Sequence, residues 1–314
     1  MAIQNPLAAQ QEITDRIRRL LNAYIMSNSV IRPHFFLTGP SGSGKTAVME
    51  MLTLEQNIKL IEINAAALTK EGLSGNSLSK ALAPIREIPA DGFGVVFVDE
   101  FDKLFISGNT NGELAHESTN GVQNEFLTVL EKGYTAIFGD YGKYVEMPVG
   151  HLLFVFAGAF NNETGINHEW LRKVGVKTEF LGRVPLIYNL PKIELADILA
   201  LVDNYELLLQ YFELEDTSPA DQAHIIQALK DKLTADYEVN NLGIRYLSSL
   251  VHQYFINGTF DDSVQAKKPI TKGSFKRPAA ASSAKDSTGS KTDGANAPSD
   301  KAPLRKRLSK TPKE

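Results

Sequence analysis

Five short, unbroken apolar runs stand out along the chain: HFFLTG (34–39), IKLIEI (58–63), VVFVDE (95–100), HLLFVFAG (151–158) and PLIYNL (185–190). Their length, and the lack of polar alternation in most of them, is that of strands buried on both faces. Between them apolar positions recur at helical spacing, as in TAVMEMLTLEQ (46–56) and NGVQNEFLTVLEK (120–132). This alternation predicts an α/β fold with a parallel sheet.

After Pro191 the strand pattern stops and three helical patterns follow: KIELADILALVDNYELLLQYF (192–212), PADQAHIIQALKDKLTA (219–235) and NLGIRYLSSLVHQYFIN (241–257). Ser218 is placed to cap the second, with Pro219 in its first turn, and Asn240 or Asn241 opens the third. The reading is a large α/β domain over 1–190, a small helical domain over 191–258 and a tail over 259–314.

Composition narrows the chemistry. The 314 residues include no cysteine, which excludes disulfides, thiolate zinc sites, a thiol nucleophile and iron–sulfur clusters. No stretch approaches the roughly 18 consecutive apolar residues of a membrane span. The first twenty residues lack the basic start and apolar core of a signal peptide, so the expected location is the cytoplasm and no membrane partner is expected. The net charge of −4 hides a split. Residues 262–314 carry 13 Lys/Arg against 5 Asp/Glu, or +8, so residues 1–261 carry 20 against 32, or −12. The tail is rich in Ala, Ser, Lys, Pro, Thr, Gly and Asp, with Phe275 as the one aromatic after Asp262, and reads as disordered. Three roles stay open for it: a solubilising extension, binding of nucleic acid or an acidic partner through counterion release, or nuclear import by KRPAAASSAK and PLRKRLSK. The six histidines show no metal-ligand spacing.

Directly after the first run comes Gly39-Pro40-Ser41-Gly42-Ser43-Gly44-Lys45-Thr46, which fits G-x-x-x-x-G-K-[ST] between a strand and a helix. Its glycines let backbone N–H groups wrap phosphates, and the helix N-terminus adds its dipole. Lys45 is placed for the β- and γ-phosphates, and the Thr46 hydroxyl for Mg²⁺. The third run delivers Asp99 and Glu100 at a strand end. Asp99 is the candidate for the Mg²⁺ shell and Glu100 for the general base that polarises an attacking water. ATP and Mg²⁺ are therefore the expected cofactors.

With VVFVDEFDKL (95–104), GVQNEFLTVLEKG (121–133), FVFAGAF (154–160), EFLGRVP (179–185) and NLGIRYL (241–247), all in order after the phosphate loop, residues 1–258 resemble the AAA+ module of ClpX-type protein unfoldases. The related HslU-type ATPases are similar. The resemblance implies an α/β ATPase domain with a small helical lid, assembled with itself as a hexameric ring that hydrolyses Mg-ATP. It implies that Arg183 is an arginine finger presented to a neighbouring subunit's nucleotide and that Arg245 is the lid's sensor arginine. Ile3–Leu7 falls where the family forms its adenine pocket, although an apolar segment there equally reads as core.

Against the family pattern, the zinc-binding N-terminal domain is not expected. The interval from Gly158 to Glu179 is short and has no Ile/Leu-Gly-Phe tripeptide, so coupling to a ClpP-type peptidase is not expected either. Gly72-Leu73-Ser74-Gly75 stands in the place of the aromatic pore loop, with Leu73 as the substrate-gripping candidate or the whole as a plain surface loop. Phe138–Tyr144, with Tyr141 at its centre, is either a second pore loop for peptide or nucleic acid or an ordinary aromatic hairpin. Asn161 and Asn162 either stand in for the asparagine that orients water in many relatives or are turn residues. The function implied is remodelling or unfolding of a protein or complex without a ClpP-type protease. The alternative is a nucleic-acid-associated motor or loader using the basic tail. A scaffold without turnover is disfavoured by the presence of Lys45, Glu100 and Arg183.

Overall fold

The computed structural model describes residues 7–69, 77–89, 92–105, 113–139, 142–239, 242–258 and 260. Leu73, Tyr141, Ile3, Asn240, Asn241 and the basic tail lie outside the described residues.

All five apolar runs are strands of one parallel sheet: β1 (Phe35–Thr38), β2 (Lys59–Asn64), β3 (Gly94–Asp99), β6 (Leu153–Gly158) and β7 (Leu186–Asn189), in spatial order β2-β3-β6-β1-β7. β1 and β6 are buried at every position, and β3 at all but its last. The sheet separates two cores, and alternate strand residues enter each. Phe36, Val96, Val98, Phe154 and Phe156 point to one side, and Phe35, Leu37, Val95, Phe97, Leu153 and Val155 to the other. Burial on both faces is why the runs of β1, β3 and β6 are continuous, whereas the edge strand β2 alternates exposed and buried positions.

The second face is covered by α1 (Gln11–Met26) and α2 (Lys45–Glu55). The first is covered by α3 (Leu78–Ala81), α4 (Glu113–Lys132), α5 (His168–Lys173) and α6 (Thr178–Arg183). A separate antiparallel pair, β4 (Tyr134–Phe138) with β5 (Tyr144–Pro148), sets the Phe138 and Tyr144 rings opposite each other at 5.7 Å, edge to face. Of the two readings of this segment, the aromatic pairing is present, and Tyr141 lies outside the described residues.

Beyond Pro191 come α7 (Leu195–Val202), α8 (Glu206–Glu215), α9 (Pro219–Asp236) and α10 (Arg245–His252), with one π-helical turn over Gln253–Asn257. These helices close a third core around Leu208, Phe212, Leu229, Leu247 and Leu250, which also takes Leu7. Here the long pattern 192–212 is two helices. The break falls at Tyr205, which is buried and shares a 2.5 Å hydrogen bond between its hydroxyl and Ser248 Oγ on α10. α7 then packs on α9, while α8 and α9 pack against α10. Ser218 caps α9 by accepting from Asp221 N at 3.3 Å. α10 begins at Arg245, after Gly243 in the left-handed region, rather than at the asparagines. No helix of the described residues is long and apolar enough to cross a membrane.

Candidate phosphate site

The C-terminal ends of β1, β3 and β6 lie side by side, Thr38 opposite Gly158 and Val98 opposite Phe156. Ligands of open α/β sheets gather at this edge. Each strand runs out into one wall of a cavity of about 380 Å³, lined by Ser41, Gly42, Gly44, Lys45, Thr46, Asp99, Glu100, Asp102, Asn161, Asn162 and Arg245, among others.

The loop after β1 turns through positive φ at Gly42 (74°) and Gly44 (80°), a region closed to most side chains. At Gly42 a Cβ would also collide with the Leu242 carbonyl, and the Ile244 N–H donates to Gly42 O at 3.5 Å. The loop is thus roofed by the segment that leads into α10, and this brings Arg245 to the cavity.

Lys45 is the first residue of α2. Its ammonium donates to two neutral loop carbonyls, Gly39 O at 2.7 Å and Pro40 O at 3.0 Å. Burial pushes its pKa down to about 8; Asp99 and Asp102 pull it back up, and Arg245 adds to the lowering. A desolvated cation bonded only to neutral acceptors suits an anionic ligand, so the loop fits a nucleotide's phosphates. Thr46 Oγ1 lies 3.5 Å from Asp99 Oδ2. Two oxygens at that separation, one of them a carboxylate, suit Mg²⁺, which takes few protein ligands and completes its shell with phosphate and water.

Asp99 Oδ1 accepts the Glu100 N–H at 2.8 Å. Glu100 itself has left-handed φ (54°) and is exposed on the cavity wall. Arg183, the last residue of α6, is not among the lining residues. It is half exposed and forms an ion pair with Glu131 at the end of α4, 3.1 Å away.

Three residues join the site that the sequence patterns did not assign to it or left open. Asp102, three residues past Asp99, is 1% exposed yet reaches the cavity and accepts from the backbone of the Ala159–Phe160 turn. Asn162 Oδ1 accepts the Ser41 N–H of the phosphate loop at 2.9 Å, so this asparagine is more than a turn residue. Gln10, also buried, donates from Nε2 to Ser43 O at 2.7 Å, linking the start of α1 to the same loop. Asp102 had a signal, since a carboxylate three residues after Asp99 on a tight turn lies near it. Gln10 had none, because its contact spans 33 positions.

Residues 35–168 match the family described as ATPase family associated with various cellular activities (AAA). The chain is 24% identical over 283 residues to the ATP-dependent Clp protease ATP-binding subunit ClpX of Borrelia duttonii, covering 76% of this chain and 66% of that protein. It is 26% identical over 254 residues to the corresponding subunit ClpX 2 of Wolinella succinogenes, covering 69% and 63%. It is likewise 26% identical over 237 residues to the ATP-dependent protease ATPase subunit HslU of Rickettsia rickettsii, covering 73% and 48%. The chain therefore spans about half to two thirds of the length of the curated relatives it matches.

Proposed function

Because the chain carries an AAA+ ATPase domain of the ClpX/HslU type, we propose that it is a Mg-ATP-hydrolysing ring of identical subunits that remodels or unfolds a protein or complex. The observation that carries this reading is the convergence of Lys45, Thr46, Asp99, Glu100 and Arg245 on one cavity at the strand ends.

In this reading Lys45 and the loop amides hold the phosphates, and Thr46 with Asp99 holds Mg²⁺. Bound Mg-ATP supplies the phosphoanhydride whose cleavage releases the driving free energy. Glu100 takes a proton from the attacking water, and its exposure on the wall leaves it free to do so. Arg245 carries positive charge from the helical layer to the same cavity, so nucleotide occupancy and the placement of α10 are linked through one side chain. Arg183, outside the cavity of its own subunit, is assigned to the nucleotide of the next. Ring formation is what this assignment requires. Action in the cytoplasm and independence from a ClpP-type peptidase belong to the same proposal, the latter motivated by the short interval between Gly158 and Glu179.

The test is substrate capture. Glu100→Gln protein is expected to bind ATP, to turn over at least about a hundredfold more slowly than wild type, and to retain a protein partner that ADP releases. Turnover equal to wild type would sink the assignment of Glu100. A second reading, a nucleic-acid-associated motor, is favoured by one observation, the +8 charge of residues 262–314. Salt-sensitive stimulation of turnover by DNA, lost on truncation after Asp261, would support it; indifference to DNA at low salt would count against it.

A further inference from the structure

We propose that Asp102 is a positioning residue of the phosphate site, acting through the Ala159–Asn162 turn and the Asn162 side chain on the phosphate loop. This rests on the nucleotide-binding reading and adds a residue to it.

Asp102 sits on the turn Phe101–Leu104 that follows β3, and its carboxylate is almost wholly shielded from water. Its two oxygens are spent on adjacent backbone groups of another strand's exit: Oδ1 accepts Ala159 N at 3.3 Å and Oδ2 accepts Phe160 N at 3.2 Å. Lys103 Nζ lies 3.3 Å from Oδ2. The approach is so close that Gly158, the last residue of β6, has no room for a side chain. A Cβ there would lie 2.7 Å from Asp102 Oδ1 and 3.0 Å from Asp102 Cβ.

Past Ala159 the chain enters a run that short-range preferences oppose. Phe160, Asn161 and Asn162 take φ of 46°, 56° and 61°, three successive non-glycine residues in the left-handed region. Such a run persists only where its surroundings over-determine it. The paired bonds from Asp102 fix its entry, and the Phe160 ring, fully buried against Trp170 at 5.6 Å, holds its first residue. The result at the far end is specific. Asn161 lines the cavity, and Asn162 Oδ1 meets the Ser41 N–H at 2.9 Å. A buried carboxylate on the β3 exit thereby sets the shape of the loop on the β1 exit, with the β6 exit as the lever between them. Asp102 also pulls electrostatically on Lys45, but its hold on the shape of the phosphate loop passes through Asn162.

A double-mutant cycle on the full-length chain tests this, with Kd for a fluorescent ATP analogue plus Mg²⁺ as the readout and melting temperature followed in parallel. Asp102→Asn and Asn162→Ala are each expected to weaken binding by about tenfold, the scale of losing a hydrogen bond to a charged or preorganised group. The double variant is expected to be weakened by about tenfold as well, not a hundredfold, because both changes cut one path. Multiplying effects would overturn the proposal, and so would Asp102→Asn protein that melts earlier but binds as tightly as wild type, which is the pattern of a purely structural residue. Should Asp102→Asn not fold, the exposed position carries the test. Asn162→Gly keeps the left-handed backbone without the amide and is expected to lose about tenfold, and unchanged or tighter binding overturns the proposal. Wild-type protein that binds no Mg-nucleotide would instead remove the underlying reading.

Discussion

Gly42 of the phosphate loop and Leu242 ahead of α10 are in backbone contact: the space where a Gly42 side chain would stand is filled by the Leu242 carbonyl. The contact joins a loop built by β1 to the helices beyond Pro191, and it dictates glycine twice over, by collision and by a φ of 74°.

Gly42→Ala should therefore both strain the loop and lift the 242–244 segment from it. The left-handed conformation alone costs an alanine about 1–2 kcal/mol, and the collision adds to it. We expect nucleotide affinity to fall by at least about tenfold, with the chain still folded by circular dichroism. An alanine variant with wild-type affinity would show that the roof over the loop is dispensable.

Arg183 pairs with Glu131 at 3.1 Å, both about half exposed. An exposed pair is worth about 0–1 kcal/mol, so it would oppose the proposed finger role of Arg183 only weakly. Arg183→Ala is expected to bind nucleotide like wild type and to lose turnover by at least about tenfold. Glu131→Gln is expected to change turnover by no more than about fivefold. The comparison is steady-state ATPase rate against protein concentration. Equal rates for Arg183→Ala and wild type at every concentration would place the finger elsewhere.

His34 introduces a pH dependence of stability. It is buried at the head of β1, its Nδ1 accepts the Phe154 N–H at 3.0 Å, and burial, with a smaller contribution from Arg32, pushes its pKa down to about 3. Between that value and the ordinary 6.5 the unfolded chain takes a proton that the folded chain refuses. This residue's share of stability is thus complete above about pH 6.5 and is lost as pH falls, by about 1.4 kcal/mol per unit. Urea unfolding at pH 7 and pH 5 should show a loss of about 2 kcal/mol from this residue. The loss should disappear in His34→Gln, whose amide oxygen can take the same N–H without titrating; an unchanged acid limb would exclude His34 as its cause.

Gln10 ties α1 to the phosphate loop through Ser43 O, both groups buried. Gln10→Ala strands that carbonyl, at a cost of about 1–3 kcal/mol, or about 2–4 °C of melting temperature per kcal/mol in a domain of this size. Differential scanning calorimetry with and without Mg-nucleotide would measure it. A variant melting within about 1 °C of wild type would mean that water replaces the amide.

The parts legible in the sequence are those dictated by neighbours along the chain. Burial on both faces forces continuous apolar runs in the central strands β1, β3 and β6, the edge strands β2 and β7 show as short runs of their own, and the phosphate loop's glycines mark their own backbone. Asp99 and Glu100 follow from a strand that ends where it must. The hidden parts depend on contacts across the fold. The break before α8 had a short local signal in the turn-favouring pair Asp203-Asn204, but the hydroxyl of Tyr205 that finds Ser248 on another helix is not visible in the sequence. α1 packs Ile13, Ile17, Leu20, Leu21 and Tyr24 on the sheet, and its bearing on the site comes from Gln10 just before it. Asp102 and Asn162 matter because three strand exits meet, and sequence spacing does not report that meeting.

Trp170 is the single tryptophan of the chain, and its indole lies edge-on to Phe160, 5.6 Å between ring centres. Phe160 opens the left-handed turn whose last side chain holds the phosphate loop. The molecule thus sets its one indole beside the turn that meets the phosphate loop. Its emission is a label-free optical reading of that turn, taken from the unmodified protein.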